Sequence, residues 1–159
     1  MKLNNKIKNT MKLALPSLSV NEGMARAAVA AFCSQLDPAT TDLADIKCAV
    51  SEAVTNCIVH AYKDTVGTVY ITVKLIKNGY VQIEIRDRGC GIPDVQVARQ
   101  PLYTTDAESE RSGLGFTVME SFCDKVKVRS RQGVGTTVVL IKKISHKGLD
   151  DKNGEEIKR

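Results

Sequence analysis

Glu52, Asn56 and His60 recur every four residues in the stretch Ser51-Glu52-Ala53-Val54-Thr55-Asn56-Cys57-Ile58-Val59-His60-Ala61-Tyr62. On a helix that spacing puts a carboxylate, a carboxamide and an imidazole on one stripe. Leu43, Ile46, Val50, Ala53, Cys57 and Ile58 form an apolar stripe beside it. Polar groups bordering a buried face cost on the order of a few kcal/mol each without partners. They mark either a solvated helix face or one wall of a site. A second candidate is Asp87-x-Gly89-x-Gly91 at a strand end, where a carboxylate stands at a pocket mouth and glycines admit close approach of a ligand. Taken alone it is an ordinary turn. A third is Arg111-Ser112-Gly113-Leu114-Gly115-Phe116 at a helix start. Free N–H groups there bind phosphate, and Arg111 adds a bidentate phosphate partner.

The elements that must position these groups follow from periodicity. Met11 to Leu15 alternates weakly and reads as an edge strand ended by Pro16. Ser19 or Asn21 caps a helix whose apolar face is Met24, Ala27, Ala28, Ala31, Phe32 and Leu36. Asp37-Pro38 ends it, and Thr41-Asp42 starts a second helix running to about Tyr62. Thr68 to Lys77 and Val81 to Arg86 alternate around an Asn78-Gly79 hairpin signal. A long polar segment, Asp94 to Ser112, carries one possible helical turn. A helix with Val118, Met119 and Phe122 on one face and two strands complete the chain. The order β-α-α-β-β-loop-α-β-β points to an α+β two-layer sandwich, its mainly antiparallel sheet covered on one side.

The 159 residues predict one domain at 11–144, a loose extension at 1–10 and a disordered tail at 145–159. A net charge of +5 raises nucleic acid as a partner. Only 4% of residues are aromatic, none of them Trp, so base-stacking platforms are scarce. Five cysteines without a C-x-x-C pair read as reduced thiols, with Cys48 and Cys57 in core positions. Two isolated histidines and scattered cysteines make no zinc set. No stretch has the length of a signal peptide's apolar core or of a membrane span, so the expected location is the cytoplasm.

The order of the three candidates is more specific than any one of them. A helix with E-x-x-x-N, a strand ending in D-x-G-x-G, a long loop, G-x-G at a helix start and G-T before the last strand resemble the GHKL ATPases and their Bergerat fold. Ser51–Asn56, His60-Ala61-Tyr62, Arg99-Gln100-Pro101-Leu102-Tyr103-Thr104-Thr105, Glu110–Phe116, Ala30-Ala31-Phe32 and Gln35-Leu36-Asp37-Pro38 are similar to the anti-sigma F factor family of endospore-forming bacteria. The resemblance covers residues 11–143.

That resemblance implies a serine protein kinase that is also a sigma-factor clamp. Such a protein uses ATP and Mg²⁺, forms a homodimer, sequesters sigma factor F and phosphorylates a serine of the anti-anti-sigma factor. It implies roles as well. Asn56 offers an amide oxygen to Mg²⁺, and Glu52 accepts the serine proton. Asp87 accepts from the adenine amino group, while Gly89 and Gly91 keep the pocket open. Gly113, Leu114, Gly115 and Phe116 present N–H groups to phosphates, and Arg111 offsets phosphate charge. Thr136 or Thr137 reaches the adenine region. Thr104 and Thr105 belong to a lid over ATP. His60 supports the pocket, His146 is inert and Arg26 faces partners. Three rivals remain: the related stress-response kinase that acts on sigma B, an ATP-gated binding module without transfer, and a DNA-binding protein.

Overall fold

The computed structural model describes residues 7–101 and 115–145. Five strands form one sheet in the order β1-β2-β3-β5-β4, with every neighbouring pair antiparallel. They are β1 Ile7–Pro16, β2 Thr68–Ile76, β3 Tyr80–Arg86, β4 Lys125–Arg131 and β5 Gly135–Lys143. The helices are α1 Asn21–Cys33, α2 Thr40–Asn56, the single turn α3 Val95–Ala98, and α4 Gly115–Phe122. This is the α+β two-layer arrangement expected from the element order. The alternation in β2 and β3 puts Val69, Ile71, Val73, Leu75, Val81, Ile83 and Ile85 into the core. Tyr70, Thr72, Lys74, Gln82, Glu84 and Arg86 therefore take the uncovered side. Ile46, Ala49, Val50, Ala53 and Val54 of α2 close the core from the helical layer, and α2 packs against both α1 and α4. Among the described residues no helix is long and apolar enough to cross a membrane.

Several local expectations need correction. β1 starts at Ile7, not Met11, and residues 7–10 pair with β2 through Ile7↔Ile76, Asn9↔Leu75 and Thr10↔Lys74. These residues are exposed. Backbone pairing at an open edge, not side-chain burial, makes them a strand, and hydrophobic periodicity does not register that. Neither Ser19 nor Asn21 caps α1 through its side chain; the Asn21 amide instead donates to Pro16 O at 2.9 Å. The buried face of α1 is Ala25, Val29, Ala30 and Cys33, while Met24 is 55% exposed. The helix is rotated from the expected face because alanine-rich sequence offers apolar residues in every direction. Cys48 is exposed and Cys57 buried, although both fit the apolar period. Ser145, assigned to the tail, is docked. Its N–H donates to Asp42 Oδ2 at 2.6 Å, and its carbonyl accepts from Ala39 N at 3.0 Å.

Asp42 does more than open α2. It is 7% exposed and lies 3.6 Å from Lys142 Nζ, which also approaches Asp45 Oδ2 at 3.2 Å and donates to Phe122 O at 2.9 Å. One ammonium thus ties the start of α2, the end of α4 and the end of β5. Arg99 pairs with Glu120 and donates to Val126 O at 3.2 Å, which anchors the chain after α3 to α4 and β4.

Tyr62 closes the helical layer onto the sheet. Its ring fills the space that a Cβ on Gly67 would need. Its hydroxyl donates to Thr68 O at 2.8 Å and accepts from Arg88 N at 2.7 Å. Tyr62→Phe leaves both backbone groups without that partner, and each such loss costs about 1–3 kcal/mol where water cannot enter. Urea denaturation should show a lower midpoint with unchanged slope. An unchanged midpoint would mean that water replaces the hydroxyl fully.

Candidate active site

The α-helical pattern of α2 stops at Asn56 and a π turn, Cys57–Ala61, follows. Tyr62 N closes it on Cys57 O at 3.1 Å. The last carbonyls of a helix have no partner inside it and bond elsewhere. Here the Ala61 carbonyl accepts from Cys90 N at 3.1 Å, and Cys90 Sγ lies 3.2 Å from His60 O. The D-x-G-x-G turn is thereby pulled against the end of the helix. Gly89 is required by that approach, since a Cβ there would collide with the Ala61 carbonyl. Gly91 has φ +74° and stands against Arg131 O, so both its conformation and its space exclude a side chain.

Asp87 sits between helix and sheet, 5% exposed. Its Oδ1 accepts from Gly89 N at 2.9 Å and Thr136 N at 3.1 Å. Its Oδ2 faces Cys57 Sγ at 3.6 Å. Thr136 Oγ1 and Ser130 Oγ are 2.8 Å apart, and Ser130 Oγ accepts from Ile92 N at 2.7 Å. The turn is therefore fixed to β4 and β5 as well as to α2.

Glu52 and Asn56 lie one turn apart, half-buried, and both reach the first residue of α4. A Cβ on Gly115 would stand 3.2 Å from Glu52 Oε2 and 3.4 Å from Asn56 Oδ1. The bare glycine leaves that volume open between a carboxylate, a carboxamide and a helix N-terminus. Glu52, Asn56 and Gly115 thus form one group, and Asp87, Gly89 and Thr136 a second. Cys57, next to Asn56, joins the two. Thr137 takes the opposite side of the sheet from Thr136, opposite Arg86 and Arg129 in register. Phe116 is buried in the core. Arg26 is exposed on α1, paired with Glu22 at 2.8 Å. Thr104, Thr105, Arg111, Gly113, Leu114 and His146 lie outside the described residues. Sequence reasoning missed Cys57 and Tyr62 as parts of the site. Cys57 is in the core, as its apolar period predicts, and also meets Asp87; its position directly after Asn56 is the signal for that second contact. Tyr62 stands in the His60-Ala61-Tyr62 motif, which does not itself point to its bonds with Thr68 O and Arg88 N.

Burial pushes the Asp87 carboxyl above its ordinary value of 3.8, against the lowering by the Gly89 and Thr136 N–H groups and the Cys57 thiol. The native state then holds this proton more tightly than the unfolded chain. Stability falls as pH rises above 3.8, until the native carboxyl has ionised too, and is level beyond that. Asp87→Asn keeps the Oδ1 acceptor and removes the charge. Urea denaturation should find this variant at least as stable as the parent at pH 7, with the margin shrinking as pH falls toward 3.8. A clear loss of stability at pH 7 would mean that the ionised carboxylate's hydrogen bonds outweigh its desolvation.

A family model described as a histidine kinase-like ATPase domain matches residues 15–142. The anti-sigma F factor of Geobacillus stearothermophilus is 53% identical over 137 residues, which span 86% of this chain and 93% of that protein. That of Bacillus licheniformis is 51% identical over 140 residues, 87% of this chain and 95% of that protein. Among solved structures, the RsbU and RsbW domains of a Mycobacterium tuberculosis protein superpose with a TM-score of 0.65 at 21% identity, covering 88% of this chain and 34% of that one. Full-length ShkA in complex with AMPPNP gives 0.55 at 18% identity, covering 92% and 34%. The structures share the fold, and the sequences reach further: the chain belongs to the histidine kinase-like ATPases and, within them, to the anti-sigma F factor family.

Proposed function

We propose that this chain binds MgATP between α2, the Asp87 turn and the start of α4, and transfers the γ-phosphoryl group to a serine of an anti-anti-sigma protein. In its other activity it holds sigma factor F away from RNA polymerase, as a homodimer in the cytoplasm. The observation that carries the nucleotide site is the convergence of Glu52 and Asn56 on Gly115, one residue from the Cys57 that meets Asp87.

The chemistry of each group supports this. Asp87 Oδ2 accepts the exocyclic amino group of adenine, while Gly89, Gly91 and Thr136 hold the carboxylate and the space beside it. The N–H groups of Gly115 and Phe116 open a helix and suit phosphate oxygens. Gly113, Leu114, Arg111 and Thr105 join them on sequence grounds alone. Among the described residues no three His, Cys, Asp or Glu side chains gather to hold a metal. Mg²⁺ takes one or two protein oxygens and fills its shell with phosphate and water. Asn56 Oδ1 fits that requirement. Bound there, the ion would offset charge on the phosphates. Glu52 stands one turn away and accepts the serine hydroxyl's proton as the oxygen attacks phosphorus. Arg26, exposed and paired only with its own helix neighbour Glu22 among the described residues, is free to exchange that carboxylate for one on a partner.

Glu52→Gln separates transfer from binding. Transfer to the anti-anti-sigma protein should fall by roughly 10²–10⁴-fold, with MgATP affinity within about threefold of the parent. Filter binding and a labelled-phosphate assay measure both. Undiminished transfer would remove Glu52 as the proton acceptor; loss of MgATP binding would make it a binding residue instead.

A further inference from the structure

Asp87 has two oxygens with different surroundings. Oδ1 already accepts two backbone N–H groups, Gly89 at 2.9 Å and Thr136 at 3.1 Å. Its lone pairs are used, so an amino group entering the pocket must meet Oδ2. The neighbour of Oδ2 is Cys57 Sγ at 3.6 Å, within reach for a bond from the larger sulfur atom. Two donors on Oδ1 pin one oxygen but let the carboxylate tilt about it. A donor on Oδ2 removes that freedom.

Cys57 is suited to be that donor. It is 4% exposed, so water does not compete. A thiol carries one S–H, the single donor that a bond to Oδ2 needs. Cys57 is the first residue of the π turn, directly after Asn56. The orientation of Asp87 is thereby linked to the backbone that carries Asn56.

The geometry points to Cys57 as a positioning residue for the base pocket: its thiol donates to Asp87 Oδ2 and sets the direction in which that oxygen meets the amino group of adenine. This role rests on Asp87 being the adenine acceptor proposed above. Cys57 makes the pocket selective for a purine that carries the exocyclic amino group, without touching the purine. An alanine at this position keeps the packing nearly intact and lacks the donor. A serine restores a donor, stronger though shorter.

The test compares ATP with purine riboside triphosphate, which lacks the amino group, by calorimetric titration of the full chain with Mg²⁺. The parent should prefer ATP. Cys57→Ala should weaken ATP by about three- to tenfold, the range for a weak thiol donor on a carboxylate, and leave purine riboside triphosphate unchanged. Cys57→Ser should restore most of the preference. Equal weakening of both ligands, or of neither, would reduce Cys57 to packing and overturn the inference. A parent without preference would instead remove the adenine role of Asp87, and the inference with it. Should Cys57→Ala fail to fold, the infrared S–H stretch of the parent, assigned by its loss in Cys57→Ser, carries the test. ATP should shift that band and purine riboside triphosphate should not; the same response to both ligands overturns the proposal.

Discussion

A carboxylate buried at the end of a central strand is the constraint that organises this molecule. Asp87 is withdrawn from water, and an unpaired charge there would cost several kcal/mol. The fold answers with backbone donors from two directions, Gly89 N from its own turn and Thr136 N from β5. That second donor exists only because β5 lies beside β3 with Arg86 opposite Thr137. Asp87 N returns a bond to Thr136 O at 2.9 Å. Gly135, at φ +143°, lets β5 begin against the Asp87 carbonyl, where a Cβ would collide. The register of β3 against β5 and the hydrogen bonds of Asp87 therefore stand together.

The helical layer meets the same constraint from its own side. The helix ends at Ala61, so the carbonyls of His60 and Ala61 lie past its last bond and need partners outside it. Both meet Cys90 of the Asp87 turn, and Tyr62 bridges Thr68 O and Arg88 N. The wall carrying Glu52 and Asn56 and the wall carrying Asp87 are thereby joined directly. At the far end, Lys142 and Asp42 fix α2 relative to α4, so Gly115 arrives beside Glu52. The open volume at Gly115 and the buried acceptor at Asp87 are thus tied to one helix, through Glu52 and Asn56 on one side and Cys57 and Ala61 on the other.

Much of this was legible in residue order. The strands β2 and β3 declare themselves by strict alternation. Asn78 and Gly79 both take positive φ, at +67° and +75°, as their residue types suggest, but the loop between Ile76 and Tyr80 has three residues, Lys77 included, where the Asn-Gly pair suggests two. The i, i+4 spacing of Glu52 and Asn56 survives because both precede the π turn. What was not legible depended on tertiary context. α1 is too rich in alanine for its pattern to fix a rotation, so the wrong face looked apolar. Cys48 and Cys57 obey the same helical period, yet only Cys57 meets the sheet. Thr136 and Thr137 are chemically alike; the register of β5 against β3 decides which one faces Asp87. Ile7 to Thr10 are strand by virtue of an available edge on β2, which no local pattern announces. The π turn also lies beyond periodicity, since one extra residue in a helix leaves almost no mark on composition.

The central claim is that the convergence of Glu52, Asn56 and Gly115 serves transfer of phosphate to a protein serine. The most direct measurement is to incubate the full chain with γ-labelled ATP, Mg²⁺ and an anti-anti-sigma protein, then map the label by mass spectrometry. The account predicts a single acid-stable phosphoserine on the anti-anti-sigma protein and no phosphate on His60. Label retained as acid-labile phosphohistidine on this chain, or ATP bound without any transfer, would contradict it.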